Sequence, residues 1–84
     1  MRIQDMMGLG PKSAEMLAHA GIATVDDLRN AGSIGAFVAV KKTGQPASLN
    51  LLWALEGALT NQPWKEVAKR ERTRLLLALD LVER

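Results

Sequence analysis

Residues 5–17 read Asp5-Met6-Met7-Gly8-Leu9-Gly10-Pro11-Lys12-Ser13-Ala14-Glu15-Met16-Leu17. This stretch has the form of a helix-hairpin-helix: a short apolar lead-in, a Gly-hydrophobic-Gly turn, and Pro-Lys at the start of an amphipathic helix. Glycine permits positive φ and close approach of another group, and Pro11 suits the first helical position, where its missing N–H costs nothing. We therefore expect a turn at residues 8–10, with Leu9 in the core, followed by a helix over residues 11–20.

The helix start after this turn is a candidate phosphate site. The first N–H groups of a helix have no acceptor within the helix, and they lie at the positive end of its dipole. Lys12 adds a positive charge beside them. The residues predicted to bind the backbone of double-stranded DNA, without reading its sequence, are Gly8, Gly10, Lys12 and Ser13. The alternative is a turn that only joins two helices and leaves Lys12 in solvent.

Capping residues set the bounds of the remaining helices. Gly21 can end the first helix in the left-handed conformation, with Ile22 contacting Leu17. Thr24 and Asp27 have the spacing of a capping box. Thr24 is predicted to cap a helix over residues 25–31, Ser33 one over residues 34–43, and Ser48 one over residues 49–60. A single turn at residues 64–67 precedes the last predicted helix, over residues 68–82.

Length and composition favour one helical domain. The chain has 84 residues and is 48% apolar, and Leu and Ala are more numerous than the aromatic and β-branched residues that favour strands. A chain of this size cannot build two cores. We expect residues 1–84 to form a single all-α domain of five to six short helices, a helix-hairpin-helix or SAM-like bundle.

Charge and targeting signals narrow the function classes. The net charge of +2 is too small to imply a nucleic-acid partner by itself, although residues 65–74 carry five basic and two acidic side chains. The chain has no cysteine, no signal peptide and no membrane-length apolar run. These features predict a soluble cytoplasmic protein without disulfides and without a membrane partner.

Motifs for catalysis or cofactor binding are not recognisable. Gly10-Pro11-Lys12-Ser13 lacks the Gly-Lys pair and the earlier glycine of a P-loop, and the dinucleotide pattern fails at Ser13. His19 is the sole histidine, and neither a cysteine nor a nucleophile elbow accompanies it. We expect no enzymatic activity, no cofactor, no metal site and no small-molecule substrate.

The helix predicted at residues 49–60 is apolar almost all round, which predicts that it is the central, buried one. Trp53 is expected in the core and Trp64 at its edge. Glu56 lies on the narrow polar stripe and needs a cationic partner if it is occluded, which residues 65–74 can supply. The apolar stripe of the last helix consists of Leu75, Ala78, Leu79 and Val82, and Leu77 and Leu81 lie to its side. They either complete a bundle that covers two sides of this helix or form a surface for a protein partner or a homodimer.

Four segments together resemble the C-terminal domain of the TfoX/Sxy family, bacterial regulators of competence and DNA transformation. Three are the Gly8–Ser13 turn, Gly21-Ile22-Ala23-Thr24-Val25-Asp26-Asp27-Leu28 and the Trp64 turn. The fourth and most distinctive is Ser48-Leu49-Asn50-Leu51-Leu52-Trp53-Ala54-Leu55-Glu56-Gly57-Ala58-Leu59.

The resemblance implies a helical, helix-hairpin-helix-like or SAM-like fold, no enzyme, and a link to the activation of DNA-uptake genes. Family members that regulate competence usually carry an N-terminal α/β domain, whereas Met1 lies seven residues before the hairpin, so we expect a free-standing domain. Two mechanisms remain open: DNA-backbone binding through the hairpin, with Lys41 or Lys42 as further contacts, and a protein-interaction module that pairs with itself or with a transcription factor.

Overall fold

The computed structural model describes residues 1–83. Within that range the chain forms one 3-10 turn, five α-helices and no strand, which confirms the all-α prediction. The turn is Ile3–Asp5, and the helices are α1 (Pro11–His19), α2 (Val25–Lys42), α3 (Leu49–Thr60), α4 (Trp64–Arg70) and α5 (Arg72–Glu83).

Helix α3 is the central element, as its apolar character predicts. It packs against α2 on one side and α4 on the other. Leu52 and Leu55 are fully buried and Trp53 is 2% exposed, which confirms the core position of that ring. Each such large apolar side chain contributes on the order of 1.5–3 kcal/mol when it leaves water, so α3 supplies a large share of the energy that stabilises the core.

Helix α2 contains both of the helices predicted between residues 25 and 43. They are continuous in the structure except for a kink at Gly32, whose φ of 75° and ψ of 170° are not helical. A side chain would strain this backbone, which explains why glycine stands at the kink. The predicted cap Ser33 is wrong: Ser33 lies inside the helix, is buried, and donates its hydroxyl to Glu56 instead.

The predicted caps around residues 21–27 are confirmed. Gly21 has a φ of 85°, and the N–H of Ile22 donates to the carbonyl of Leu17 at 2.9 Å, closing a Schellman motif. Thr24 and Asp27 form a reciprocal capping box. Hydrogen bonds from the Ala23 N–H, the Thr24 hydroxyl and the Thr24 N–H hold the pKa of the Asp27 carboxyl below its usual value.

The C-terminal helix boundary differs from the prediction. Helix α4 continues through Arg70, and the break falls at Glu71, not at Ala68. The turn before α4 presses on α3: a Cβ added at Gly57 would lie 2.5 Å from the carbonyl oxygen of Gln62 and 3.5 Å from the N of Trp64. Only glycine permits this approach, and it fixes where Trp64 sits on α3. No helix in the described chain is long and apolar enough to cross a membrane.

Candidate nucleic-acid interface

The hairpin turn lies directly on the central helix. It joins the 3-10 turn Ile3–Asp5 to α1. Leu9 is buried in the core, as predicted. Gly8 has a φ of 80°, and a Cβ there would lie 3.9 Å from the carbonyl oxygen of Ala54. Gly10 has a φ of −139°, which is extended backbone, so of the two glycines Gly8 alone uses positive φ.

An open cleft of about 330 Å³ lies beside this turn. The start of α1, the start of α3 and the first residue of α4 surround it. Its lining residues are Gly8, Lys12, Ser13, Met16, Pro46, Ser48, Asn50, Leu51, Ala54 and Trp64. The structure therefore brings three of the four predicted phosphate-binding residues to one concave surface and adds the N-terminus of a second helix to it.

Both helix starts reach the cleft without a side-chain cap. Gly10 and Ser48 occupy the N-cap positions of α1 and α3, and neither supplies a side-chain hydrogen bond to its helix. In α1 the backbone bonds begin with the Ala14 N–H to the Gly10 carbonyl, and in α3 with the Leu51 N–H to the Ser48 carbonyl. The N–H groups ahead of these bonds are the donors that bind anions at helix N-termini, so two positive dipole ends converge on the cleft.

Lys12 is the one charged residue among the described residues that line the cleft. Lys12 is exposed on its lining, and none of the lining residues, all of which lie in the described part of the chain, is acidic. Trp64 is 36% exposed, and the Lys65 ammonium lies 5.8 Å from the centre of its ring. The cleft thus offers an ammonium, uncapped backbone donors and an aromatic surface to an anionic ligand.

The structure separates the other predicted contributors from this cleft. Gly10 caps α1 but does not line the cleft. Lys41 and Lys42 line a different groove with Val38 and Val82, and the Lys41 ammonium lies 2.6 Å from the Glu83 carboxylate. These two lysines therefore do not line the hairpin cleft, and their contact with DNA stays a prediction.

Seven residues of the cleft were not predicted from the sequence, and three of these, Ser48, Asn50 and Trp64, have polar or aromatic groups for a ligand. The sequence predicts Ser48 as a helix cap, Asn50 on the same polar stripe as Glu56, and Trp64 at the edge of the core. Their association with the hairpin depends on how α3 and α4 pack. A sequence signal existed only for the helix start at Ser48, which, like the start after Gly10, has unpaired N–H groups.

Glu56 has the cationic partner that its position demanded. Arg74 Nη2 donates to Glu56 Oε2 at 2.8 Å, and the Ser33 hydroxyl donates to Oε1 at 2.8 Å. The Glu56 side chain is 13% exposed. Arg74 Nε also donates to Glu71, and the Glu71 and Glu56 carboxylates together raise the pKa of Arg74. This network joins α2, α3 and α5 away from the cleft, which gives Glu56 a structural role.

The surplus leucines of α5 are exposed. Leu77 is 63% and Leu81 68% exposed, whereas Leu75 and Leu79, on the opposite face of the helix, are buried. Val82, assigned by its spacing to the inward stripe, is instead 57% exposed. The bundle therefore does not cover α5 on two sides, and this apolar face is available for contact.

The remaining predicted candidate, His19, is exposed, with Nε2 3.9 Å from a Glu15 oxygen. Among residues 1–83, no group of three or more His, Cys, Asp or Glu side chains is arranged to hold a metal ion.

Comparison with known proteins relates this geometry to a family. A profile of the TfoX C-terminal domain matches residues 1–79. The DNA transformation protein TfoX of Haemophilus influenzae is 36% identical over 83 residues, which cover 99% of this chain and 38% of that protein. The chain thus spans well under half the length of this relative.

Two solved structures from Listeria monocytogenes have the same fold. A protein described as uncharacterized, in a triclinic crystal form, superposes with a TM-score of 0.85 at 24% identity, covering 99% of this chain and 94% of that one. A protein of unknown function, in a tetragonal form, gives a TM-score of 0.74 at 28% identity, covering 90% and 98%. The profile match over nearly the whole chain and the identity to TfoX show that this chain belongs to the TfoX C-terminal domain family.

Proposed function

We propose that this chain is a non-enzymatic module of DNA transformation and competence regulation, and that it contacts the DNA backbone through the hairpin cleft. The association with transformation follows from family membership. The observation that supports backbone contact is the convergence of two uncapped helix starts and Lys12 on one cleft without an acidic residue.

The chemistry of the cleft suits a phosphate group. Backbone N–H groups from two helices can each donate to a different phosphate oxygen, while Lys12 supplies the countercharge. None of these groups reads a base edge, so binding is independent of sequence. With two to three phosphates neutralised, the logarithm of the affinity for duplex DNA falls with the logarithm of the salt concentration with a slope of about −2 to −3.

Fluorescence anisotropy of a labelled random-sequence duplex, measured over a series of salt concentrations, tests the proposal. Lys12→Glu should reduce the affinity at least tenfold at low salt and make the salt slope shallower. Arg29→Glu is the matched control, because it changes the net charge equally on a surface that does not line the cleft. Equal losses in the two variants would mean that net charge, not the cleft, governs binding.

A second function is favoured by the exposed face of α5. Leu77 and Leu81 are adjacent on the helix, more than 60% exposed, and point away from the core. Apolar side chains grouped in this way mark interaction surfaces more often than isolated ones do. In this alternative the domain pairs with itself or with a transcription regulator and makes no direct DNA contact.

Sedimentation velocity separates the two functions. If the α5 face mediates self-association, Leu77→Asp combined with Leu81→Asp gives a monomer at concentrations where the wild-type chain is a dimer, and DNA binding is unchanged. Because neither leucine contributes to the core, this double variant should remain folded. A wild-type chain that is monomeric at high concentration would exclude the homodimer.

A further inference from the structure

Phosphate binding alone assigns no role to Trp64, although this residue lines the cleft. Its side chain is 36% exposed, whereas Trp53 is 2% exposed. The ring lines the same cleft as Gly8, Lys12 and Asn50. An exposed aromatic ring beside a cationic group is a surface on which an aromatic group of a ligand can stack.

The position of Trp64 is fixed by the backbone around it. Gly57 lets the chain at Gln62 and Trp64 approach α3 more closely than any side chain would permit. Trp64 is also the first residue of α4, whose next turn is anchored by buried Val67. The backbone that carries Trp64 is therefore held at the rim of the cleft by packed elements, as a residue that forms a stacking surface requires.

The size and chemistry of the cleft suit a nucleotide with a free base. Its volume of about 330 Å³ lies at the lower end of the ~300–1,000 Å³ range of small-ligand pockets. In duplex DNA the bases are stacked on one another and cannot lie against a protein ring. Unpaired bases, in contrast, stack on aromatic side chains next to a positively charged groove in proteins that bind single strands.

We propose that the cleft binds single-stranded nucleic acid, with one unpaired base stacked on Trp64 and the adjoining phosphate at the starts of α1 and α3. This inference rests on the proposed function for its phosphate site and adds the base. Lys65, whose ammonium lies 5.8 Å from the ring centre, adds a second positive charge to that of Lys12 for the phosphates of the strand. The consequence is a preference for single strands over duplexes.

Intrinsic fluorescence reports on the proposed contact directly. The chain has two tryptophans, and buried Trp53 serves as an internal reference. Titration with a twelve-residue oligothymidylate at low salt should quench the emission of Trp64, and the matching duplex should not quench it. Trp64→Phe should abolish the quenching. The absence of quenching by the single strand, or equal quenching by the duplex, would overturn the inference.

Anisotropy of labelled oligothymidylate measures how much the ring contributes. Trp64→Ala should weaken binding about 5- to 140-fold, the factor to which ~1–3 kcal/mol of base–aromatic stacking converts. Trp64→Phe retains a ring and should bind more tightly than the alanine variant, while the affinity for duplex changes less than twofold in both. A Trp64→Ala chain that is folded by circular dichroism and binds oligothymidylate as the wild type does contradicts the inference. If that variant does not fold, the wild-type quenching decides.

Lys12→Glu distinguishes failure of this inference from failure of the proposed function. If Lys12→Glu weakens the binding of both single strand and duplex, and the fluorescence of Trp64 does not change in any titration, the phosphate site is supported and the stacked base is overturned. Quenching of Trp64 that survives Lys12→Glu with unchanged affinity overturns the phosphate site, and with it the two-part mode proposed here. No binding of either DNA at low salt overturns both.

Discussion

Gly57→Ala is the substitution on which the placement of the cleft depends most. An added Cβ would lie 2.5 Å from the carbonyl oxygen of Gln62, closer than real Cβ atoms approach any heavy atom. The obstacle is backbone, so a rotamer change cannot relieve it. The turn at residues 61–63 must move away from α3, and Trp64 must move with it.

The two opposing terms give the magnitude. Replacing glycine by alanine within a helix gains roughly 0.5–1 kcal/mol through reduced backbone entropy in the unfolded chain. Forcing an extra carbon into a packed contact costs about 1–3 kcal/mol. Because a backbone contact lies at the severe end of that range, we expect a net loss of about 1–2 kcal/mol, or a decrease in Tm of roughly 4–16 °C for a chain of this size.

Gly35→Ala is the matched control. Gly35 also lies within a helix, α2, but the nearest atom to an added Cβ is the Ala31 Cβ at 3.8 Å, an ordinary contact. This variant should therefore gain about 0.5–1 kcal/mol. Urea denaturation of both variants, followed by circular dichroism, gives the comparison. Equal effects of the two substitutions would refute the claim that α3 and the turn before α4 are in contact through Gly57.

Three other perturbations test separate parts of the structure. Glu56→Ala should destabilise the fold by about 1–3 kcal/mol in urea denaturation, because the buried Ser33 hydroxyl and the Arg74 guanidinium lose their shared acceptor. In a double-mutant cycle of Glu56→Ala and Ser33→Ala, additive losses of stability would contradict a shared network. Because the pKa of Asp27 is lower in the folded than in the unfolded chain, its carboxylate stabilises the fold fully above the unfolded pKa of about 4. This stability is lost as the pH falls through the lower, folded pKa. The urea midpoints of unfolding at pH 7 and at pH 2.5 should therefore differ less for Asp27→Asn than for the wild type. Leu79→Asp should unfold the chain, since a buried carboxylate at that position has no partner, whereas Leu77→Asp should change the Tm by only a few degrees; similar Tm values for the two would contradict the assigned orientation of α5.

Much of the fold could be predicted because local signals and burial agree. The continuous apolar character of residues 49–60 identified α3 with its observed bounds, since a helix that is apolar all round has nowhere to lie but the core. The Thr24–Asp27 box and Gly21 located the start of α2 and the end of α1 because caps are satisfied locally.

The errors arose where tertiary contacts override local preference. Ser33 is a good cap in isolation, but the kink at Gly32 turns its hydroxyl toward Glu56. The spacing of Val82 matches the inward stripe of α5, yet the helix ends beyond the core and leaves this side chain exposed. The candidate site could be predicted only in part, because local sequence does not show how helices pack. The hairpin motif identifies Gly8, Lys12 and Ser13, whereas Asn50 and Trp64 come close to them only through the packing of α3 and α4.

The central claim is that the starts of α1 and α3 form one phosphate site. An amide NMR titration of the labelled chain with a short random-sequence DNA, at low and at physiological salt, tests it most directly. The account predicts that the amides of Lys12, Ser13 and Asn50 shift together with one affinity and that these shifts fade as salt increases. Shifts confined to the basic residues 69–74, or no shifts even at low salt, would contradict it.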